Sequence, residues 1–182
     1  MDDHALKNKL FICLGNIGNE YQDTRHNAGF LFGQAYIKFL EGQGCATETK
    51  EHKDYTLVSV KEKQLFFLFP KTLMNLSGRA VVSFLAYTNI VTRLIVVHDD
   101  LDIILGEYKI NHAKGPKNHN GITSIETALQ TKDFERIRLG IENRNGLPIS
   151  GLDYVLYKFT AEEMQILQAT FTKLIQEISK GA

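Results

Sequence analysis

The chain predicts an α/β fold: a single domain over residues 1–182, built on a twisted mixed, mostly parallel β-sheet with helices on both faces. Three observations carry that expectation. Short apolar runs alternate with stretches of helical periodicity, the order that yields strands crossed over by helices. The run "RLIVVHDD" (93–100) is apolar on both strand faces until it meets acids, as a buried parallel strand does at its carboxyl edge. One hairpin, "YTLVSV" and "QLFFLF" on either side of "KEK", interrupts the alternation and makes the sheet mixed.

The elements follow in order. "KLFICLG" is a strand closed by glycine, and "NAGFLFGQAYIKFLEG" carries apolar residues at helical spacing to Leu40, with Gly42 as its stop. The hairpin comes next and ends at Pro70. "NLSGRAVVSFLAYTN" reads as a helix despite Gly78 near its start. After "RLIVVHDD" come a strand "EYKIN", a loop "AKGPKN", a helix "HNGITSIETALQ" and a strand "RIRLGI". A polar loop containing Pro148 leads to the amphipathic helix "AEEMQILQATFTKLIQEISK".

Composition narrows the class of partner. With 43% hydrophobic and 23% charged residues the chain is ordinary globular material, and no apolar run reaches the roughly 20 residues of a membrane helix. The start "MDDHALKNKLFICLG" lacks the basic and apolar regions of a secretory signal, so a soluble cytoplasmic protein is expected. Cys13 and Cys45 form neither a disulfide framework nor a C-x-x-C site. Lysine plus arginine equals aspartate plus glutamate at 21 each, so a nucleic-acid partner would have to be held by local patches. No segment resembles a dimerisation element, and a monomer is expected.

Four polar stretches fall in the predicted turns: "GNIGNEYQDTRHN", "KTLMNLSG", "VHDDLD" and "KGPKNHNG". Each has an ordinary reading: asparagine and glycine suit turn geometry, and Asn75 or Asn120 would serve as a helix cap. A dinucleotide-binding turn is excluded because G-x-G-x-x-G is missing. "HDDLD" has the acids and histidine of a divalent-metal site but no second acidic cluster to complete the shell. No nucleophile elbow surrounds Ser77, and neither cysteine has histidine neighbours. A histidine, a carboxylate and several amides remain. That set suits ester hydrolysis by general-base catalysis, with amide N–H groups stabilising an oxyanion and neutral asparagines pairing with a peptide backbone.

The same stretches, with "LGNIGNEYQDTRHNAGF", "KTLMNLSGRAV", "VVHDDLDIILGEYKI", "HNGITSIE", "FERIRLGI" and "YVLYKFTAEE" in order from Leu10 to about Glu163, resemble bacterial-type peptidyl-tRNA hydrolase. The resemblance implies a cofactor-free, metal-independent enzyme that cleaves the ester between a peptide and the terminal ribose of tRNA. It implies His26 as the catalytic base and Asp99 as the carboxylate that orients it. Asn16, Asn75 and Asn120 match the amides that hold peptide, water or oxyanion, and Tyr21 matches a tyrosine of the cleft. Arg138 matches a basic residue near the tRNA phosphate, and Lys109, Lys114, Lys117, His119 and Arg144 are the further candidates for the tRNA side. The chain departs from the family pattern at Ile17, where proline is usual, at Asn111, where lysine is frequent, and in "AKGPKN", where glycines are usual.

Overall fold

A computed structural model describes residues 8–88 and 92–180, except the side chain of Thr92; the acidic start of the chain and Asn89, the end of one predicted helix, lie outside them. Seven strands form one sheet in the order β2-β3-β4-β1-β5-β7-β6. They are β1 (Asn8–Cys13), β2 (Glu48–Glu51), β3 (Tyr55–Val60), β4 (Leu65–Pro70), β5 (Thr92–Ile104), β6 (Tyr108–His112) and β7 (Glu135–Glu142). The pairs β4/β1, β1/β5 and β5/β7 are parallel, while β2/β3, β3/β4 and β6/β7 are antiparallel. Only β3 and β6 therefore oppose the common direction, as the mixed, mostly parallel expectation required.

Strand geometry sends alternate side chains to opposite faces, and the core divides accordingly. Phe11, Cys13, Phe67, Val97 and Leu139 pack on one face, under α1 (Ala28–Gly42) and α5 (Ala161–Lys180). Leu10, Ile12, Leu68 and Val96 pack on the other, with Val81 and Phe84 of α2 (Ser77–Ala86) and Ile122 and Ile125 of α3 (Asn120–Leu129). Two glycines permit this closeness. A Cβ on Gly29 would lie 2.4 Å from the Val97 carbonyl, so the first turn of α1 presses directly on the sheet backbone. One on Gly78 would lie 2.3 Å from the Ser124 carbonyl, which explains a glycine in α2 where propensity disfavours it.

Two elements are not evident in the sequence. β2, "ETKE", is a short exposed edge strand with no apolar pattern, and such charged edges discourage pairing with other chains. The short helix α4 (Gly151–Tyr154) starts at Ser150, whose hydroxyl accepts from the Asp153 N–H.

α5 begins with a reciprocal cap. The Glu163 N–H donates to Thr160 Oγ1 (3.2 Å), and the Thr160 N–H donates to Glu163 Oε2 (2.9 Å). The same carboxylate receives Arg25 Nη2 at 2.6 Å, with both side chains buried. Arg25 also donates Nη1 to the carbonyls of Tyr157 and Lys158 and stacks 4.2 Å over the Tyr154 ring. One ion pair thus ties the turn after β1 to the segment between α4 and α5. Removing one partner of such a pair leaves a buried, uncompensated charge, so Glu163→Ala should destabilise the fold by about 3–5 kcal/mol in denaturant unfolding. Burial acts to raise the Glu163 carboxyl, but bonds from Asn143, the Thr160 N–H and Arg25 outweigh it and hold the group below the ordinary range. A depressed folded-state value stabilises above the unfolded value and is lost as pH falls. The variant should therefore show a weaker acid dependence of stability than the parent below about pH 4.5.

Candidate active site

The turns after β1 and β4 leave the sheet at one edge, and the stretch "VHDDLD", expected in a turn, belongs instead to β5 itself, whose His98, Asp99 and Asp100 pair with β7. The fourth polar stretch arrives differently: β6 runs against β7 and ends at the opposite edge, and the loop 113–119 returns over the Arg136 and Arg138 side chains to the start of α3. Together these segments enclose a cleft of about 620 Å³, lined by Asn16, His26, Asn75, Asp99, His119 and Asn120, with an apolar wall from Leu73, Leu101, Leu152, Val155 and Leu156.

Asn27 shapes the first turn. Its Oδ1 accepts the Asn16 N–H (2.8 Å) and its Nδ2 donates to the Asn16 carbonyl (3.0 Å), so one amide side chain substitutes for a strand partner. Asn16 Oδ1 in turn accepts the Met74 N–H (3.1 Å), joining the turns after β1 and β4 and leaving the Nδ2 donors of Asn16 for another molecule. Neither Asn75 nor Asn120 acts as a cap. The caps of α2 and α3 are Leu76 and His119, and both asparagine side chains are exposed in the cleft.

His26 sits in the helical turn Arg25–Asn27, its N–H held by the Val155 carbonyl (2.8 Å). Its Nδ1 faces Asp99 Oδ1 at 2.9 Å and Oδ2 at 3.1 Å, so Nε2 is the ring nitrogen left for the cleft. His119 completes the group. Its Nδ1 accepts the N–H groups of Gly121 (3.1 Å) and Ile122 (3.3 Å), which puts the ring proton on Nε2, donated to Asp99 Oδ1 at 2.9 Å. Asp99 thus receives one N–H from each imidazole. Burial acts to raise its carboxyl, yet the two histidines overcome this and hold it far below the carboxylate range. Burial acts to lower the His26 imidazole, and the charge and hydrogen bond of Asp99 reverse this, leaving it raised above 6.5. His98, by contrast, is not in the cleft lining; its ring packs 4.9 Å from that of His119, its Nδ1 donates to the Asp99 carbonyl, and burial, with His119 next, depresses it to about 3.

The acids of "HDDLD" do not converge. Asp100 accepts Arg138 Nε (2.7 Å) and the Asp102 N–H (2.9 Å), on the strand face opposite Asp99. His26, Asp99 and His119 bring three ligand-type atoms within 4.8 Å of one another. The donor set fits a cation poorly, because the two N–H groups on His119 Nδ1 keep a proton, not a lone pair, on its Nε2.

Several expected residues stand elsewhere. Tyr21 is half-buried in a helical turn, outside the cleft lining; its carbonyl accepts from Thr24. His119, expected on the tRNA side, is corrected to a buried member of the His26 and Asp99 group, since both its ring nitrogens are engaged inside the protein. Arg144 is likewise corrected: its guanidinium is bound by Glu142 and the Ile149 carbonyl. Arg138 is paired with Asp100 and also donates to Asn111 Oδ1 (3.3 Å), while Lys109, opposite it in register on β6, and Lys114 and Lys117 in the loop are exposed. Arg25 and Asn27, whose crowding beside His26 equally suits residues that fix the turn, are the fasteners of the site.

Fold and cleft define an α/β protein with a histidine and carboxylate pair suited to ester hydrolysis. A family model described as peptidyl-tRNA hydrolase matches residues 10–181. The chain is 37% identical to a peptidyl-tRNA hydrolase of Staphylococcus saprophyticus over 95% of its own length and 88% of the relative's. It is 38% identical to that of Staphylococcus epidermidis over 88% and 83%. A crystal structure of peptidyl-tRNA hydrolase from Acinetobacter baumannii superposes with a TM-score of 0.79 at 27% identity, covering 94% of this chain and 86% of that one. The chain belongs to the peptidyl-tRNA hydrolase family.

The geometry predicts the titration of His26. Its imidazole should titrate above 6.5 by NMR in the native protein, and below 6.5 in Asp99→Ala, where burial alone remains. An unchanged midpoint in the variant would show that Asp99 does not hold the ring charged.

Proposed function

We propose that this chain hydrolyses the ester between a peptide and the 3′-terminal ribose of tRNA, with His26 as general base. The observation that carries the reading is the buried Asp99 on His26 Nδ1, which leaves Nε2 toward an amide-lined cleft. In this mechanism Nε2 takes a proton from water as its oxygen attacks the ester carbon. Asp99 fixes the ring's tautomer and stabilises the imidazolium. An N–H of Asn16, Asn75 or Asn120 stabilises the oxyanion. As the tetrahedral intermediate collapses, the bond to the ribose oxygen breaks and His26 returns its proton to that oxygen, releasing a peptide acid and tRNA. His119 is a positioning residue: it holds the second side of Asp99 and keeps the carboxylate aimed at His26.

The base form of His26 is the active one, so turnover should rise with pH through a midpoint above 6.5. Hydrolysis of an N-blocked aminoacyl-tRNA in excess EDTA tests both reaction and mechanism. The native protein should cleave it, and His26→Ala should lose about 10²–10⁴-fold while staying folded. A fully active variant would refute His26 as the base.

On the tRNA side we propose Lys109, Lys114 and Lys117 as phosphate contacts, with Arg138 as a partly neutralised fourth. Lys114→Ala and Lys117→Ala should each weaken tRNA binding evenly across sequences and reduce the salt slope by about one, read from affinity against salt concentration. The substrate places the proposed site of action in the cytoplasm, and we propose a single-domain monomer. Among the described residues no helix is long and apolar enough to cross a membrane.

A further inference from the structure

A second pocket of about 310 Å³ lies on the other side of Asn16 from the cleft and shares that residue with it. Four further amides line it, from Asn19, Gln22, Asn27 and Gln34, over the ring of Phe30, with Ile17 half-exposed at the rim. Asn27 is engaged on the Asn16 backbone. The side chains of Asn19, Gln22 and Gln34 are exposed and make no hydrogen bond among the described residues. No charged side chain lines the pocket.

We infer that this pocket binds the peptide part of the substrate beyond the residues nearest the ester, through its backbone. The inference rests on the proposed ester hydrolysis. Free amides offer a donor and an acceptor each, the complement of a peptide unit, and read no side chain. Phosphate would call for cations or an array of N–H donors, and none is provided here. The pocket and the cleft share Asn16 in their linings and so lie side by side, within reach of one substrate whose ester lies at His26. The three free amides come from two elements, the turn after β1 and the exposed side of α1, which gives the pocket two walls able to grip an extended strand. An apolar rim at Ile17 is compatible with side chains of any type lying across it.

The double variant Gln22→Ala, Gln34→Ala tests this with two substrates, an N-acetylated single aminoacyl-tRNA and a tRNA carrying a longer neutral peptide. Two lost hydrogen bonds should raise KM for the longer substrate about three- to tenfold, with kcat held and the short substrate unaffected. Equal loss on both substrates, or no change on either, would overturn the inference. Native protein that cleaves neither substrate would instead refute the ester hydrolysis beneath it. A second readout does not depend on turnover: the side-chain NH₂ resonances of Gln22 and Gln34 should shift when the free peptide acid is added. A shift caused only by a tRNA acceptor stem would assign the pocket to RNA and overturn the inference as well.

Discussion

The site depends on one carboxylate. Asp99 is buried within β5, opposite Leu139 of β7, where a charge without partners would be costly, and the fold answers with two imidazoles. Each comes from a different element: His26 from the turn before α1 and His119 from the cap of α3. The carboxylate therefore joins the two faces of the sheet, because α1 and α3 belong to opposite layers. Its two bonds also differ in kind. His119 is locked by backbone donors into one tautomer and serves as a fixed anchor, whereas His26 keeps one nitrogen unbound and is the member able to exchange a proton.

Around this centre the chain uses polar side chains as fasteners where a strand or helix would leave backbone groups unpaired. Asn27 holds Asn16, Asn16 holds Met74, and Arg25 holds the carbonyls of Tyr157 and Lys158 while paired with Glu163. Each link is short and buried or half-buried; the first closes the turn after β1, and the others connect segments far apart in sequence. The wall formed by Leu152, Val155 and Leu156 hangs on the last of these links, so the apolar side of the cleft is fixed by the same turn that carries His26. Adjacent residues thus perform separate tasks: Arg25 sets the wall, His26 faces the cleft, and Asn27 sets the floor of the turn.

Much of this was legible from the sequence, for definite reasons. β1, β4 and the first half of β5 are apolar on both faces and β7 alternates arginines with Ile137, Leu139 and Ile141, so all four announce themselves, and the order of elements fixes a mostly parallel sheet. β2 was not legible because an exposed edge strand has no burial to record in its pattern, and its identity comes only from pairing with β3. The resemblance singled out His26 and Asp99, and the structure brings these two side chains into contact. The role of His119 was not, since a histidine in a lysine-rich loop looks like a phosphate ligand until the cap of α3 is seen to use its ring. Arg144 misled for a similar reason. A cation two residues after Glu142 folds back on it, and no spacing rule for helices or strands reveals that in a loop.

A neutral chain handling a polyanion poses a balance that the placement of charge resolves. Arg25, Arg136, Arg138 and Arg144 are all committed to carboxylates, and in each case the partner is held in the same region of the fold. Their charge stabilises structure and contributes little field toward a ligand. Lys109 of β6 and Lys114 and Lys117 of the loop 113–119 are exposed and left without such partners among the described residues. Under the proposed tRNA contacts, these lysines supply the attraction for an incoming anion near the cleft. The cleft itself is lined by neutral amides and apolar surface, a division of surface that suits the proposed ligand, which joins a charged polymer to a peptide.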